Sequence, residues 1–124
     1  MSLNISVVIT TYNRPDCLLE ALNGVKSQLY SPFEIIIIDD NSSQTYESAM
    51  PTINALGARY LRQNVSCGAN KARNLGIEEA SGEVIAFLDD DVVVDIDYYE
   101  NVPDVFEADD QVVGVQGVDR DWVE

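Results

Sequence analysis

Three short apolar runs rich in β-branched residues and a fourth, shorter strand-like stretch, each followed by a polar loop and a helical stretch, leave this chain few folds to adopt. The runs are Ile5 to Thr10 (ISVVIT), Phe33 to Ile38 (FEIIII), Ala58 to Leu61 and Glu83 to Leu88 (EVIAFL). The first two are nearly unbroken in Val and Ile, the pattern of strands buried on both faces. The intervening segments change to helical periodicity. After Asn13, a candidate cap, and Pro15, suited to a first turn, Leu18, Leu22, Val25 and Leu29 recur on one face. A second helix is predicted from about Thr45 to Ala55, bent or interrupted near Pro51. A third, from about Ala69 to Ala80, carries Ala69, Ala72, Gly76 and Ala80 on one face, small enough for close approach to a sheet, and Ser81-Gly82 ends it. A short fourth is expected around Asp97 to Glu107, limited or bent by Pro103, with a fifth strand at Val112 to Gln116.

Strands alternating with helices imply an α/β fold: a mostly parallel, Rossmann-like sheet with helices on both faces, in three α/β/α layers. The ligand site of such a sheet lies beyond the carboxyl ends of its strands. Three strands place distinctive polar residues there: Thr10 to Arg14, Asp39-Asp40 and Asp89-Asp90-Asp91.

Composition narrows the function classes. A chain of 124 residues fits one domain, and 46% hydrophobic residues argue against wholesale disorder. No apolar run approaches the ~20 residues that span a bilayer, and the N-terminus lacks the features of a signal peptide. A cytoplasmic domain is therefore expected, with membrane association left to sequence outside this chain. The 22 acidic residues against 7 basic give a net charge of -15, which repels nucleic acid and anionic membranes. Cys17 and Cys67, with no His to help them, suggest neither a disulfide scaffold nor a zinc site.

The acids at strand ends call for more than solvation. Asp89, Asp90 and Asp91 follow a buried strand, and alternation puts Asp89 and Asp91 on one side with Asp90 on the other. Carboxylates this close repel unless a positive charge sits among them, and Mg²⁺ or Mn²⁺ suits such oxygen ligands. A solvated acidic loop is the plainer alternative. An EF-hand is rejected, because Val94 stands where that loop needs Gly and a strand precedes it. Asp39-Asp40 could accept hydrogen bonds from a base or ribose, or could simply cap its turn. Gly68 to Asn74 offers free amides at a helix start, with Arg73 able to offset phosphate charge or to pair with Glu78 or Glu79.

In order, these segments resemble the family-2 glycosyltransferases, which have the GT-A fold. The matching stretches are Val7 to Arg14, Ile37 to Ser43, Gly68 to Ile77, Ser81 to Glu83 and Phe87 to Asp91, so the resemblance covers essentially the whole chain. It implies one nucleotide-sugar-binding domain over residues 1–124. Thr10, Thr11 and Tyr12 would line the base and ribose pocket, with Arg14 near the phosphates. Asp40 would bind the base beside Asp39, and Arg73 would sit near the nucleotide. Asp89 and Asp91 would be the outer acids of the family's Asp-any-Asp motif. Asp91 is then the direct metal ligand, and Asp89 or Asp90 contacts ribose or metal-bound water. The implied reaction is inverting transfer of a sugar from a nucleotide diphosphate-sugar to a hydroxyl of a saccharide, lipid or other acceptor, with Mn²⁺ or Mg²⁺. The family's base comes from well beyond the motif, and only 33 residues follow Asp91, so the base is expected beyond residue 124. On this reading the chain binds donor without turnover, and its incomplete sheet invites self-association.

Two rivals use the same residues. Phe87 to Val93 also resembles the first motif of haloacid-dehalogenase-type phosphatases, with Asp89 as nucleophile and Asp91 as acid/base. That motif usually sits on a first strand with a later Lys, and neither holds here. Phospho-receiver domains fit less well still. The other rival is a nucleotide-binding module that keeps the fold without catalysis.

Overall fold

A computed structural model describes residues 3–28, 30, 32 and 34–114. Its elements run β1 (Ile5–Thr11), α1 (Pro15–Lys26), β2 (Glu34–Asp39), α2 (Met50–Ala55), β3 (Arg59–Arg62), α3 (Ala69–Glu79), β4 (Val84–Asp89) and α4 (Tyr98–Ala108). The strands form one sheet in the order β3-β2-β1-β4, and every pairing is parallel. The expected α/β architecture is present.

β1 lies second in the sheet from one edge and pairs with both β2 and β4. Its Ile5, Val7 and Ile9 are fully buried on one face, against Leu18, Leu22 and Val25 of α1, Ile53 of α2 and Tyr99 of α4. The opposite face holds Ile36, Ile38 and Ala72 in a smaller cluster under α3. Alternation thus serves two cores at once, which is why these strands read as unbroken apolar runs. α3 approaches closely enough that a Cβ added at Gly76 would stand 2.3 Å from Cγ1 of Val8. Ala72 and Gly76 are buried as expected, whereas Ala69 is exposed.

Several boundaries differ from the sequence reading, each for a local reason. Arg14, not Asn13, stands at the N-cap of α1, and Asn13 takes a left-handed φ of 52°. The Asn13 carboxamide is instead spent on the β2–α2 loop, accepting from Ser43 N at 2.8 Å and Gln44 N at 3.1 Å. α2 begins at Met50 rather than Thr45, with Pro51 in its first turn, where a missing N–H costs nothing. Pro103 sits inside α4 without ending it. Residues 112–114 are outside any strand, and the rest of the expected fifth strand, Leu29 and Phe33 lie outside the described residues. Within the described residues β4 is an edge strand, with Phe87 half exposed. No described helix is long and apolar enough to cross a membrane.

The contact between Gly76 and Val8 gives a direct check on the packing. In Gly76→Ala the helix regains about 1 kcal/mol of propensity, while overpacking costs about 1–3 kcal/mol. The variant is therefore expected to be less stable in urea denaturation by up to about 2 kcal/mol, and Val8→Ala should cost less in that background than in the parent.

Candidate functional site

Parallel pairing sets the strand ends flush. Thr11 stands beside Asp39 in register, and Thr10 beside Asp89. Five acids, Asp39, Asp40, Asp89, Asp90 and Asp91, therefore gather along one edge of the sheet, and the structure gives each a different environment.

Asp39 is 1% exposed and works inward. Its Oδ1 accepts from the Ser42 amide at 2.9 Å and the Ser42 hydroxyl at 2.6 Å, and its Oδ2 accepts from the Tyr60 hydroxyl. Burial and the Asp39 carboxylate push the Tyr60 phenol upward, keeping it a donor. Asp40 organises the loop before α3. One oxygen accepts from Gln63 Nε2 (2.9 Å) and Cys67 N (2.8 Å), the other from Ser66 Oγ (3.1 Å) and Gly68 N (3.0 Å). Four donors fill its acceptor positions, two from backbone and two from side chains.

The triple acid divides in an unexpected way. The strand ends at Asp89 and the chain turns, so alternation does not carry through to Asp91. Asp89 faces α3, 3.3 Å from Arg73, which is also bonded to Asn70. Arg73 thus reaches the strand edge and not Glu78 or Glu79; Glu79 pairs with Arg59 instead. Asp91 lies 3.3 Å from Arg14 on the other side. Asp89 and Asp91 therefore do not share one partner, and among the described residues no three acidic side chains converge on a point. Both keep more than half of their side-chain surface exposed, so their hard oxygens suit a cation while their ion pairs remain exchangeable.

Asp90 is fully buried. Its Oδ2 accepts from Thr11 Oγ1 at 2.8 Å, and its Oδ1 lies 2.7 Å from Arg14 Nη2. That second contact is close but poorly aligned, so Oδ1 is ion-paired without being hydrogen-bonded. Burial raises the Asp90 carboxyl above its ordinary 3.8. The Thr11 hydroxyl, Arg14 and the Tyr12 amide pull it back, and the Asp91 charge pushes it up further.

Of the remaining predicted residues, Tyr12 is half exposed and Thr10 partly so, both able to meet a ligand. Thr11 is 3% exposed, and its hydroxyl is used beneath the surface. Tyr46 was invisible to the sequence reading: its hydroxyl lies 2.6 Å from Thr11 Oγ1 and accepts from Arg14 N at 3.1 Å. Its position in an irregular loop gives no periodic signal. Gln63 and Ser66 were missed for the same reason. Two concavities flank the acids. One of about 370 Å³ is lined by Asp39, Tyr46, Tyr60 and Arg62. The other, about 500 Å³ between α1 and Val93 to Ile96, contains none of the strand-end acids.

The chain matches the model "Glycosyl transferase family 2" over residues 6–124. A Campylobacter jejuni GalNAc(5)-diNAcBac-PP-undecaprenol beta-1,3-glucosyltransferase is 38% identical over 90 residues, covering 70% of this chain and 29% of that protein. A Haloferax volcanii glucosyl-dolichyl phosphate glucuronosyltransferase is 30% identical over 125 residues, covering 98% and 40% respectively. The chain thus spans well under half the length of these two relatives. Among solved structures, S. aureus TarS 1-349 in complex with UDP-GlcNAc superposes with a TM-score of 0.78 at 22% identity, covering 86% of this chain and 32% of that one. A mannosyltransferase from Pyrobaculum calidifontis, in complex with GDP-Man and Mn²⁺, gives 0.62 at 19%, covering 73% and 28%. At these identities the structural likeness establishes the fold alone.

The buried acid yields a pH prediction. An acid whose folded pKa is raised costs stability in full above that pKa, and the cost disappears below the unfolded value of 3.8. Asp90→Asn keeps an acceptor for Thr11 while removing the buried charge. At pH 7.5 it is expected to match or exceed the parent in thermal denaturation, with the difference closing as pH falls toward 4. A deficit that persists unchanged at both pH values contradicts this.

Proposed function

This chain belongs to glycosyl transferase family 2, and on that premise we propose that the strand-end acids form the donor half of a site that transfers a sugar from a nucleotide diphosphate-sugar. The phosphatase reading of Asp89 and Asp91 is set aside by that membership. The observation that carries the proposal is the pairing of exposed acids with arginines along one edge: Asp89 with Arg73, Asp91 with Arg14. Arg14 and Arg73 would take the phosphates of a nucleotide diphosphate in place of these ion pairs, and the released carboxylates would be free to hold a divalent cation.

In this reading Asp91 would hold Mn²⁺ or Mg²⁺, joined by Asp89 once its carboxylate leaves Arg73, and the ion would offset the charge of the departing diphosphate. Arg14 and Arg73 neutralise phosphate oxygens from either side. Tyr12 packs on the base or ribose and Thr10 lines the floor. The base reaches Asp40 by displacing a side-chain donor, Gln63 or Ser66, while the Cys67 and Gly68 amides keep the carboxylate in place. Asp39, Thr11 and Asp90 lie below and act as support. The acceptor is proposed to carry a hydroxyl; the GalNAc(5)-diNAcBac-PP-undecaprenol for which the Campylobacter jejuni relative is named favours a lipid-borne saccharide. The TarS complexes with UDP and UDP-GlcNAc make a uridine donor the first candidate.

Calorimetric titration with UDP, with Mn²⁺ and after chelation, tests the proposal. Binding is expected to weaken at least tenfold on chelation and to lose its metal dependence in Asp91→Ala. Equal affinity with and without metal in the folded parent chain would remove the metal-bridged reading, and no nucleotide binding at all would remove the donor site.

A further inference from the structure

Tyr46 is a buried side chain that the proposed donor site does not use, and the distribution of its protons assigns it a role. Thr11 Oγ1 has one proton, and the Asp90 carboxylate, an acceptor when ionised, takes it at 2.8 Å. The 2.6 Å contact between Thr11 Oγ1 and the Tyr46 hydroxyl must then be donated by Tyr46. Tyr46 in turn accepts the Arg14 amide at 3.1 Å. Ser42, 3.4 Å away, has its own proton committed to Asp39 at 2.6 Å. The direction of the chain is therefore fixed: Arg14 N–H to Tyr46 O–H to Thr11 O–H to Asp90.

We infer that Tyr46 is a positioning residue of the donor site, setting both members of the Arg14–Asp90 ion pair through one hydroxyl. This deepens the proposed donor-site reading and rests on it. At one end the hydroxyl fastens the main chain of Arg14, which starts α1 with no side-chain cap. At the other it orients Thr11 and so the buried Asp90 carboxylate, 2.7 Å from the Arg14 guanidinium. Arg14 is also the group proposed to take a phosphate oxygen, so its placement sets where the donor phosphates are met. The Tyr46 ring is independently anchored: it is 4% exposed, belongs to the main core and packs against the Tyr60 ring at 5.8 Å between centroids. Ring and hydroxyl therefore have separable roles. Phe at this position keeps the packing and deletes only the hydrogen bonds.

The test is a double-mutant cycle read by Mn²⁺-dependent UDP binding. Tyr46→Phe and Thr11→Val each interrupt the chain, Thr11→Ser preserves it, and the parent is the reference. Both interrupting variants are expected to weaken binding about tenfold, the loss of one charge-linked hydrogen bond. Combined, they should be no more than about twofold worse than either alone, because one chain can be broken only once. Thr11→Ser should stay within about threefold of the parent. A purely structural role would lower the melting temperature without producing this non-additivity. Tyr46→Phe binding at parental affinity overturns the inference, as do losses that multiply to about a hundredfold. Failure of the parent itself to bind UDP with Mn²⁺ is a different result: it removes the donor-site reading and the inference with it.

Discussion

β1 is hydrogen-bonded in parallel to β2 on one side and β4 on the other, and the geometry of the site follows from that pairing. Because all three strands run the same way, their carboxyl ends finish at one level, with Thr11 opposite Asp39 and Thr10 opposite Asp89. Loops leaving those ends carry the remaining acids. Five carboxylates on one edge of a small sheet would repel one another in the absence of compensation. The structure supplies it in two forms: Arg14 at the start of α1 and Arg73 of α3 for the outer acids, and hydroxyl or amide donors, with Arg14 again at Asp90, for the inner ones.

That division separates support from contact. Asp39 and Asp90 point into the protein, where a carboxylate is stable only when its oxygens find donors or a cation. Ser42 and Tyr60 serve the first, Thr11 and Arg14 the second. Asp89 and Asp91 remain at the surface in long ion pairs that water weakens, so an anionic ligand with its cation can replace them at little cost. Asp40 is intermediate, nearly buried yet held partly by two side chains that can move aside. The raised pKa of Asp90 marks where stability is given up for geometry, a pattern common at functional sites.

Much of this was legible in the sequence. Unbroken Val and Ile runs identified β1 and β2 because both faces of those strands are buried, and acids after apolar runs identified the sheet edge because parallel strands end together. Asp90 was expected to face ribose or metal-bound water, yet it is fully buried against Thr11 and Arg14. Alternation failed one residue later, at Asp91, because it is a property of extended chain and the strand has already turned. Thr11 was expected to line the pocket, yet it belongs to the buried face of β1 with Ile9. Tyr46, Gln63 and Ser66 lie in loops whose conformation is set by long-range hydrogen bonds, to Thr11 in one case and to Asp40 in the other two. Partners 23 to 35 residues away leave no local pattern to read. Asn13 shows the reverse error, a good capping residue diverted to the neighbouring loop.

The most direct test is to map Mn²⁺ on the chain by paramagnetic broadening of amide NMR signals in the presence of UDP. A donor site at the sheet edge predicts broadening centred on Asp89 to Asp91 and extending to Tyr12, Arg14 and Arg73, with the acidic helix α4 unaffected at low stoichiometry. Broadening that instead follows the acids of α4, such as Glu100 and Asp104, and ignores UDP would contradict a metal-bridged nucleotide site at the ends of these strands.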